Sequence, residues 1–392
     1  LKGWRIVFGM LAMGVALATT APSARAGVMG TIESLFGAHS DWPDWAHFKR
    51  AYLSEDGRVV DHSESDLRTV SEGQAYALFF ALAANDKDSF NRILTWTQNN
   101  LAAGDLRKNL PAWIWGKSDK GWAVIDSNSA SDADLWMVFT LDQAGRLWCK
   151  PEYTATAKAM GMNLLNRETQ VVTGLGLSLL PGEKGFSNSS GDVRLNPSYA
   201  PAFILGYLAQ SQAEEPRWAE LYLSNQRLLM QMASHGSFAD WVTLKNGQLG
   251  PAEDGRGDYD AIRVYLWLGM DGGADPMEKS LIQQIKPFTR EIAKRGAVPL
   301  WANPWQGKVS EDNGPAGFQV AAAPLMIKLG DKTLARQLES KGLTSDSSKA
   351  WLDYGYYNSV LTLFARGNLQ QRYSVSSQHG MQPRTWKGGH CG

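Results

Sequence analysis

The segment Ser71-Glu72-Gly73-Gln74-Ala75-Tyr76-Ala77-Leu78-Phe79-Phe80-Ala81-Leu82-Ala83-Ala84 decides the architecture. Its spacing reads as a helix, yet it has no polar face before Asn85. A surface helix carries an apolar stripe on one side, whereas a helix apolar all round must be covered on both sides. Inner helices of a double-layered ring have this character.

Working outward, the helical period predicts further helices at 43–53, 87–101, 131–148, 154–167, 197–210, 216–232, 260–270, 276–294, 315–329, 332–341 and 353–366. Several open on Pro, Ser or Asp, which suit helix starts. Strand signals are scarce. Residues 171–186, with glycines at 174, 176, 182 and 185, read as a hairpin or two. A dozen helices without parallel-sheet signals predict an all-α helical toroid built of antiparallel helix pairs. No low-complexity linker divides the chain, so residues 27–367 are expected to form one domain, followed by a flexible polar tail at 368–392.

The 392 residues carry 39 Lys+Arg and 39 Asp+Glu, so no charge excess points to nucleic acid or an anionic membrane surface. Lys2 and Arg5, the apolar run 6–17 and Ala24-Arg25-Ala26 read as a secretory signal peptide over residues 1–26. That predicts a periplasmic or secreted protein with no membrane span once the leader is cleaved. The two cysteines, Cys149 and Cys391, do not make a disulfide scaffold, although an oxidising periplasm permits their pairing. No Cys or His spacing resembles a zinc site, and neither a metal nor an organic cofactor is expected. Sixteen Trp and twelve Tyr are a heavy aromatic load. Such flat rings fill cores and also stack on the apolar faces of sugars.

A carboxylate inside an apolar run is costly unless it has a partner or a task. Three stretches place acids there. Glu72 opens the segment quoted above. In the structural reading Ser71 caps that helix and Glu72 sits favourably in its first turn. In the catalytic reading Glu72 is a general acid, which needs a raised pKa against the lowering effect of the helix dipole. The second stretch, Asp126-Ser127-Asn128-Ser129-Ala130-Ser131-Asp132-Ala133-Asp134, lacks the glycine and the final glutamate of an EF-hand loop. A capped helix start and an Asp132 that accepts hydrogen bonds from substrate hydroxyls both remain open. In the third, Asp258-Tyr259-Asp260-Ala261-Ile262-Arg263, Asp260 and Arg263 share a helix face. They form either a plain ion pair or a base held ionised to deprotonate water. Phosphate-cradling, nucleophile-elbow and paired-His patterns are missing.

Together with Pro111-Ala112-Trp113-Ile114-Trp115-Gly116, Asn196-Pro197-Ser198-Tyr199, Asp240-Trp241 and Tyr356-Tyr357-Asn358, these stretches resemble glycoside hydrolase family 8. Within it the chain is most similar to the periplasmic endo-β-1,4-glucanases encoded with bacterial cellulose synthases. The resemblance implies an (α/α)6 barrel and hydrolysis of internal β-1,4 bonds of cellulose with inversion. It implies Glu72 as general acid, Asp260 as general base, and Asp132 as the acid that holds the central sugar. Arg263 and Tyr356 or Tyr357 would orient the base, while Trp113, Trp115, Tyr199 and Trp241 would contact sugar rings. The family's usual Asp-Gly-Asp stands here as Asp132-Ala133-Asp134, a change that a helix tolerates well. The implied partners are a β-1,4-glucan chain and the cellulose synthesis and export complex, with trimming of nascent cellulose as the role. Three alternatives stay open: the same chemistry on xylan, chitosan or mixed-linkage glucan; a non-hydrolytic glucan-binding export factor; and a polysaccharide lyase on a similar toroid.

Overall fold

The computed structural model describes residues 42–273 and 276–386. The predicted leader at 1–26 and Cys391 lie outside the described residues. Cys149 is disulfide-bonded.

Helices dominate the described residues. In chain order they are α1 (Pro43–Tyr52), α2 (Ser71–Ala83), α3 (Lys87–Leu101), α4 (Ser131–Trp148), α5 (Pro151–Arg167), α6 (Ala202–Ser211) and α7 (Arg217–Ala233). They continue with α8 (Ala261–Met270), α9 (Pro276–Gln284), α10 (Lys286–Arg295), α11 (Ala316–Lys328), α12 (Lys332–Glu339), α13 (Ser348–Tyr354) and α14 (Tyr356–Leu369). Six of them, α2, α4, α6, α8, α11 and α14, form an inner ring. In α2 every residue except Glu72 is buried, as its unbroken apolar pattern requires. The outer helices bury one stripe each: α3 turns Phe90, Ile93, Trp96, Thr97 and Leu101 inward, and α12 turns Leu334, Ala335 and Leu338.

Around the ring α2 packs on α4, α4 on α6, α8 on α11 and α11 on α14. Trp267 of α8 donates to the Ser198 carbonyl just ahead of α6 at 3.0 Å, and Phe364 of α14 meets Tyr76 and Phe79 of α2, which closes the circle. Outside it, α3 packs on α2, α5 on α4, α7 on α6 and α12 on α11, while α1 packs against α13 and α14. This double-layered arrangement is the (α/α)6 barrel.

The boundaries differ from the periodic reading where backbone chemistry intervenes. The run expected at 197–210 becomes helical only after Pro201, because a residue preceding proline disfavours the helical conformation. The run at 276–294 breaks at Ile285, and Pro287 then sits in the first turn of α10, where its missing N–H costs nothing. Between α13 and α14 stands Gly355 at φ +88, a conformation that favours glycine. Ser71 and Ser131 do not cap α2 and α4. Each is the first helical residue, and no side-chain cap is made at either start.

Short strands occupy the loops that lead into the N-terminal ends of inner helices. β1 (Thr69–Val70) pairs with β2 (Ile114–Ser118), which pairs with β3 (Gly121–Asp126). β4 (Thr169–Val172) and β5 (Gly176–Leu179) form one hairpin, which begins two residues ahead of the stretch expected at 171–186. β6 (Val193–Leu195), β7 (Val242–Lys245) and β8 (Gln248–Pro251) make a second three-stranded sheet, and β9 (Ala302–Asn303) pairs with β10 (Lys308–Val309).

The opposite end of the ring is closed by β11 (Tyr373–Ser376) and β12 (Gly380–Pro383). These lie in the stretch expected to be a flexible polar tail, and residues 368–386 are instead docked. Tyr373, Val375 and Met381 are buried, and side chains of the segment donate to carbonyls near the C-terminal ends of inner helices. Tyr373 Oη donates to Phe364 O at 2.8 Å, and Trp386 Nε1 donates to Ala83 O at 3.1 Å. Three well-spaced apolar residues among polar neighbours were enough to anchor the segment.

An aromatic cluster fills the middle of the ring. Trp136, 1% exposed, has Tyr76, Phe79, Phe203, Trp267 and Phe364 within 5.9 Å, centroid to centroid. Tilted and edge-on packing of this kind adds to the area effect. Trp136→Ala should therefore cost about 3–5 kcal/mol of stability in urea unfolding. A loss below about 1 kcal/mol would mean that the ring is not held from its centre.

Candidate active site

Inner helices direct their N-terminal ends toward one face, and the acids singled out in the sequence sit there. Glu72 and Asp132 occupy the first turns of α2 and α4, and Asp260 immediately precedes α8. Each is placed by its loop. The β1–β2 pairing and the bond from Ser71 N to Trp113 O, 2.9 Å, fix the start of α2. Ser131 N bonds Pro181 O at 3.0 Å and fixes the start of α4.

Arg263, in the first turn of α8, joins all three acids. Its Nη1 donates to Glu72 Oε2, to Asp132 Oδ2 at 3.2 Å and to Tyr76 Oη at 3.1 Å. Its Nη2 donates to Asp260 Oδ1. The guanidinium side chain is only 4% exposed, whereas Glu72 and Asp260 keep 19% and 25% of theirs open. A buried cation needs such partners, because an unpaired one would forfeit its hydration without return. The sequence reading paired Arg263 with Asp260 alone; here it serves Glu72 and Asp132 as well.

Three carboxylates around one guanidinium cannot all ionise freely. Burial pushes Glu72 up to about 7, and the charges on Asp132 and Asp260 push the same way while Arg263 pulls it down. Burial also raises Asp132, again against the pull of Arg263. The conflict between helix dipole and desolvation at Glu72 is thus won by desolvation. A carboxyl titrating near neutrality can donate a proton there, as a general acid must.

The two tyrosines expected near the base divide. Tyr357 Oη donates to Tyr259 O at 2.5 Å, one residue ahead of Asp260. Tyr356 is buried beside α2, where a Cβ added at Gly73 would stand 2.8 Å from its hydroxyl. Among the aromatic candidates, Tyr199 lies under the Arg263 guanidinium at 5.6 Å. Trp241 meets Tyr199 edge-on at 5.8 Å and stacks parallel to Phe186 at 6.1 Å, so these rings form a wall running out from the acids. Trp113, 36% exposed, stands beside the start of α2. Trp115 is engaged elsewhere, stacked on Trp122 at 5.2 Å with Trp96 at its edge and Arg58 over its ring.

Several site groups were given no role in the sequence reading. Tyr76 follows Glu72 by one helical turn, inside a run that reads as pure core. Asp240 accepts three backbone N–H groups around Asp260. Asp134 and Glu168, both 0% exposed, form a carboxyl pair behind Asp132, on the opposite side of α4. Ser129 donates to Glu168 Oε1 at 2.5 Å. Burial raises both acids, Glu168 to about 8, so the pair holds a proton.

The model of glycosyl hydrolases family 8 matches residues 28–371. The chain is 40% identical over 346 residues to the endoglucanase of Escherichia coli strain K12, covering 87% of this chain and 91% of that one. It is 30% identical over 333 residues to a probable endoglucanase of Novacetimonas hansenii, covering 81% and 88%. Among solved structures, the endo-1,4-D-glucanase from Vibrio fischeri ES114 superposes with a TM-score of 0.81 at 40% identity, over 88% of this chain and 99% of that chain.

Glu168 keeps its proton in the folded state up to about 8, whereas in the unfolded chain it loses it near its ordinary value of 4.5. The folded state therefore binds more protons across that window, and stability falls as pH rises through it. Urea midpoints measured across that range should decline, and Glu168→Gln should flatten the decline. An unchanged slope in that variant would mean that Glu168 does not hold the proton.

Proposed function

The chain belongs to glycosyl hydrolases family 8, and from that premise we propose that it cuts β-1,4-glucan chains internally, inverting the anomeric carbon. The observation that carries this reading is the sharing of Arg263 between Glu72 and Asp260, one on each terminal nitrogen. Glu72 and Asp260, bonded to different terminal nitrogens of one guanidinium and each partly exposed, supply the two carboxyl groups that an inverting reaction needs. Such pairs stand about 6.5–9.5 Å apart, leaving room for a water.

In the proposed reaction the bond between the anomeric carbon and the glycosidic oxygen breaks as Glu72 delivers its proton to that oxygen. Water attacks the anomeric carbon from the opposite face and gives its proton to Asp260. Arg263 bonds the Asp260 carboxylate and holds it in place. Asp132 accepts hydrogen bonds from the hydroxyls of the central sugar, and its charge strengthens the hold of Glu72 on its proton. Trp113 and Tyr199 offer ring faces to neighbouring sugars, whereas Trp241 carries the Arg194 guanidinium over its ring at 4.0 Å and backs that wall. Likeness to the endoglucanases of Escherichia coli and Vibrio fischeri supports a β-1,4-glucan substrate. The balanced charge makes no provision for a cationic polymer such as chitosan. The proposed setting is the periplasm or the medium, supported by the leader pattern at 1–26, with trimming of nascent cellulose beside its synthesis and export machinery as the role.

Glu72→Gln should lower kcat on carboxymethylcellulose by about 10²–10⁴-fold while cellooligosaccharide binding persists. Undiminished cleavage would remove Glu72 from the reaction. Proton NMR of fresh cellopentaose digests should show the α-anomer first, and an initial β-anomer would mean retention. Reducing-end release should be greater on carboxymethylcellulose than on xylan or chitosan.

A further inference from the structure

Asp260 stands where a helix is normally capped by its own side chain. An aspartate immediately ahead of a helix usually turns its carboxylate back onto the first free N–H groups. Asp260 does not: no side-chain cap is made at the start of α8, and its carboxylate is directed to Arg263 Nη2. The N–H groups of Ile262 and Arg263, which such a cap would take, are bonded to the carbonyls of Asp258 and Asp260 at 3.1 and 3.0 Å. The N–H groups just ahead of them are taken by a residue from another loop. Asp240 Oδ1 accepts from Ala261 N at 2.7 Å, from Asp260 N at 3.1 Å and from Asp258 N at 2.8 Å.

The surroundings make this attachment rigid. Asp240 N donates to Arg256 O at 2.9 Å, so main chain and side chain of one residue grip both ends of the 256–261 segment. On the far side Gly257 exchanges hydrogen bonds with Ala302, 2.7 and 3.0 Å. Gly257 itself leaves no room for a side chain, since an added Cβ would stand 2.0 Å from Phe238 O.

We propose that Asp240 caps the turn that leads into α8, which holds the Asp260 carboxylate against Arg263 and makes Asp240 a positioning residue for the base. The inference rests on the reading of Asp260 as base. Without Asp240 the N–H groups of Asp258, Asp260 and Ala261 lose their acceptor, and the turn that aims the Asp260 carboxylate loses its hold. What the cap must supply is an acceptor oxygen rather than a charge. Burial, with Asp260 and then Asp258 nearby, pushes Asp240 up to about 8, so its neutral form is well populated at neutral pH. Asparagine keeps the accepting Oδ1 and should replace it.

The test compares Asp240→Ala, Asp240→Asn, Asp260→Asn and the double variant Asp240→Ala/Asp260→Asn on cellopentaose. Asp240→Ala should lower kcat by about 100-fold, a large part of what a general base contributes. Its KM should stay within about threefold, because uniform substrate binding is untouched. Asp240→Asn should return kcat to within about fivefold of the parent, since Asn and Asp cap equally well. In the Asp260→Asn background, Asp240→Ala should cost nothing more, as expected of a residue that acts through Asp260. An Asp240→Asn variant as slow as Asp240→Ala overturns the capping role, as does a full additional loss in the double variant. If Asp260→Asn is slow and Asp240→Ala is not, the capping inference alone fails. If Asp260→Asn keeps full activity, the assignment of the base fails and takes the inference with it.

Discussion

A single buried guanidinium organises this protein's functional face. Arg263 contacts carboxylates from α2, α4 and the loop ahead of α8, so helices far apart in sequence converge on one cation. Neither side of that cluster is stable alone. Without the acids the guanidinium would be buried unpaired, and without the guanidinium three acids would repel one another in a poorly solvated pocket. The charge ratio has a chemical result: one cation cannot fully neutralise three anions, so one acid keeps its proton into the neutral range. Burial makes Glu72 that acid.

The barrel supplies what such a cluster needs. Inner helices apolar all round place their N-terminal turns at one end, and the strands between helices hold those turns in place. Below the acids, Tyr76 belongs both to the Arg263 cluster and to the aromatic centre around Trp136. The site therefore rests on the most deeply packed part of the molecule. The other end of the ring is sealed by the β11–β12 hairpin, which leaves the acid-bearing face as the place where a long chain can lie across the protein.

Much of this was legible from local pattern. The unbroken apolar run after Glu72 implied a helix covered on both sides, and α2 is such a helix. Acids placed inside apolar runs marked Glu72, Asp132 and Asp260, and the structure brings those three together around Arg263. What escaped were relations that no local pattern encodes. Asp240 stands in one of the motifs that carry the family resemblance but has no role there, because its three donors come from residues 18 to 21 positions later. Glu168 ends an amphipathic helix in a polar context, and its partner Asp134 is reached only after the chain has folded back. The two- to six-residue strands are too short for alternation to register, and the three anchors of the C-terminal hairpin are diluted by polar neighbours.

The most direct measurement is a crystal structure of the Glu72→Gln protein with a bound cellooligosaccharide. Residue 72 should lie within hydrogen-bonding distance of a glycosidic oxygen. A water held by Asp260 should stand against the opposite face of the adjoining anomeric carbon. A chain lying away from these two side chains, or both of them on the same face of the scissile sugar, would contradict it.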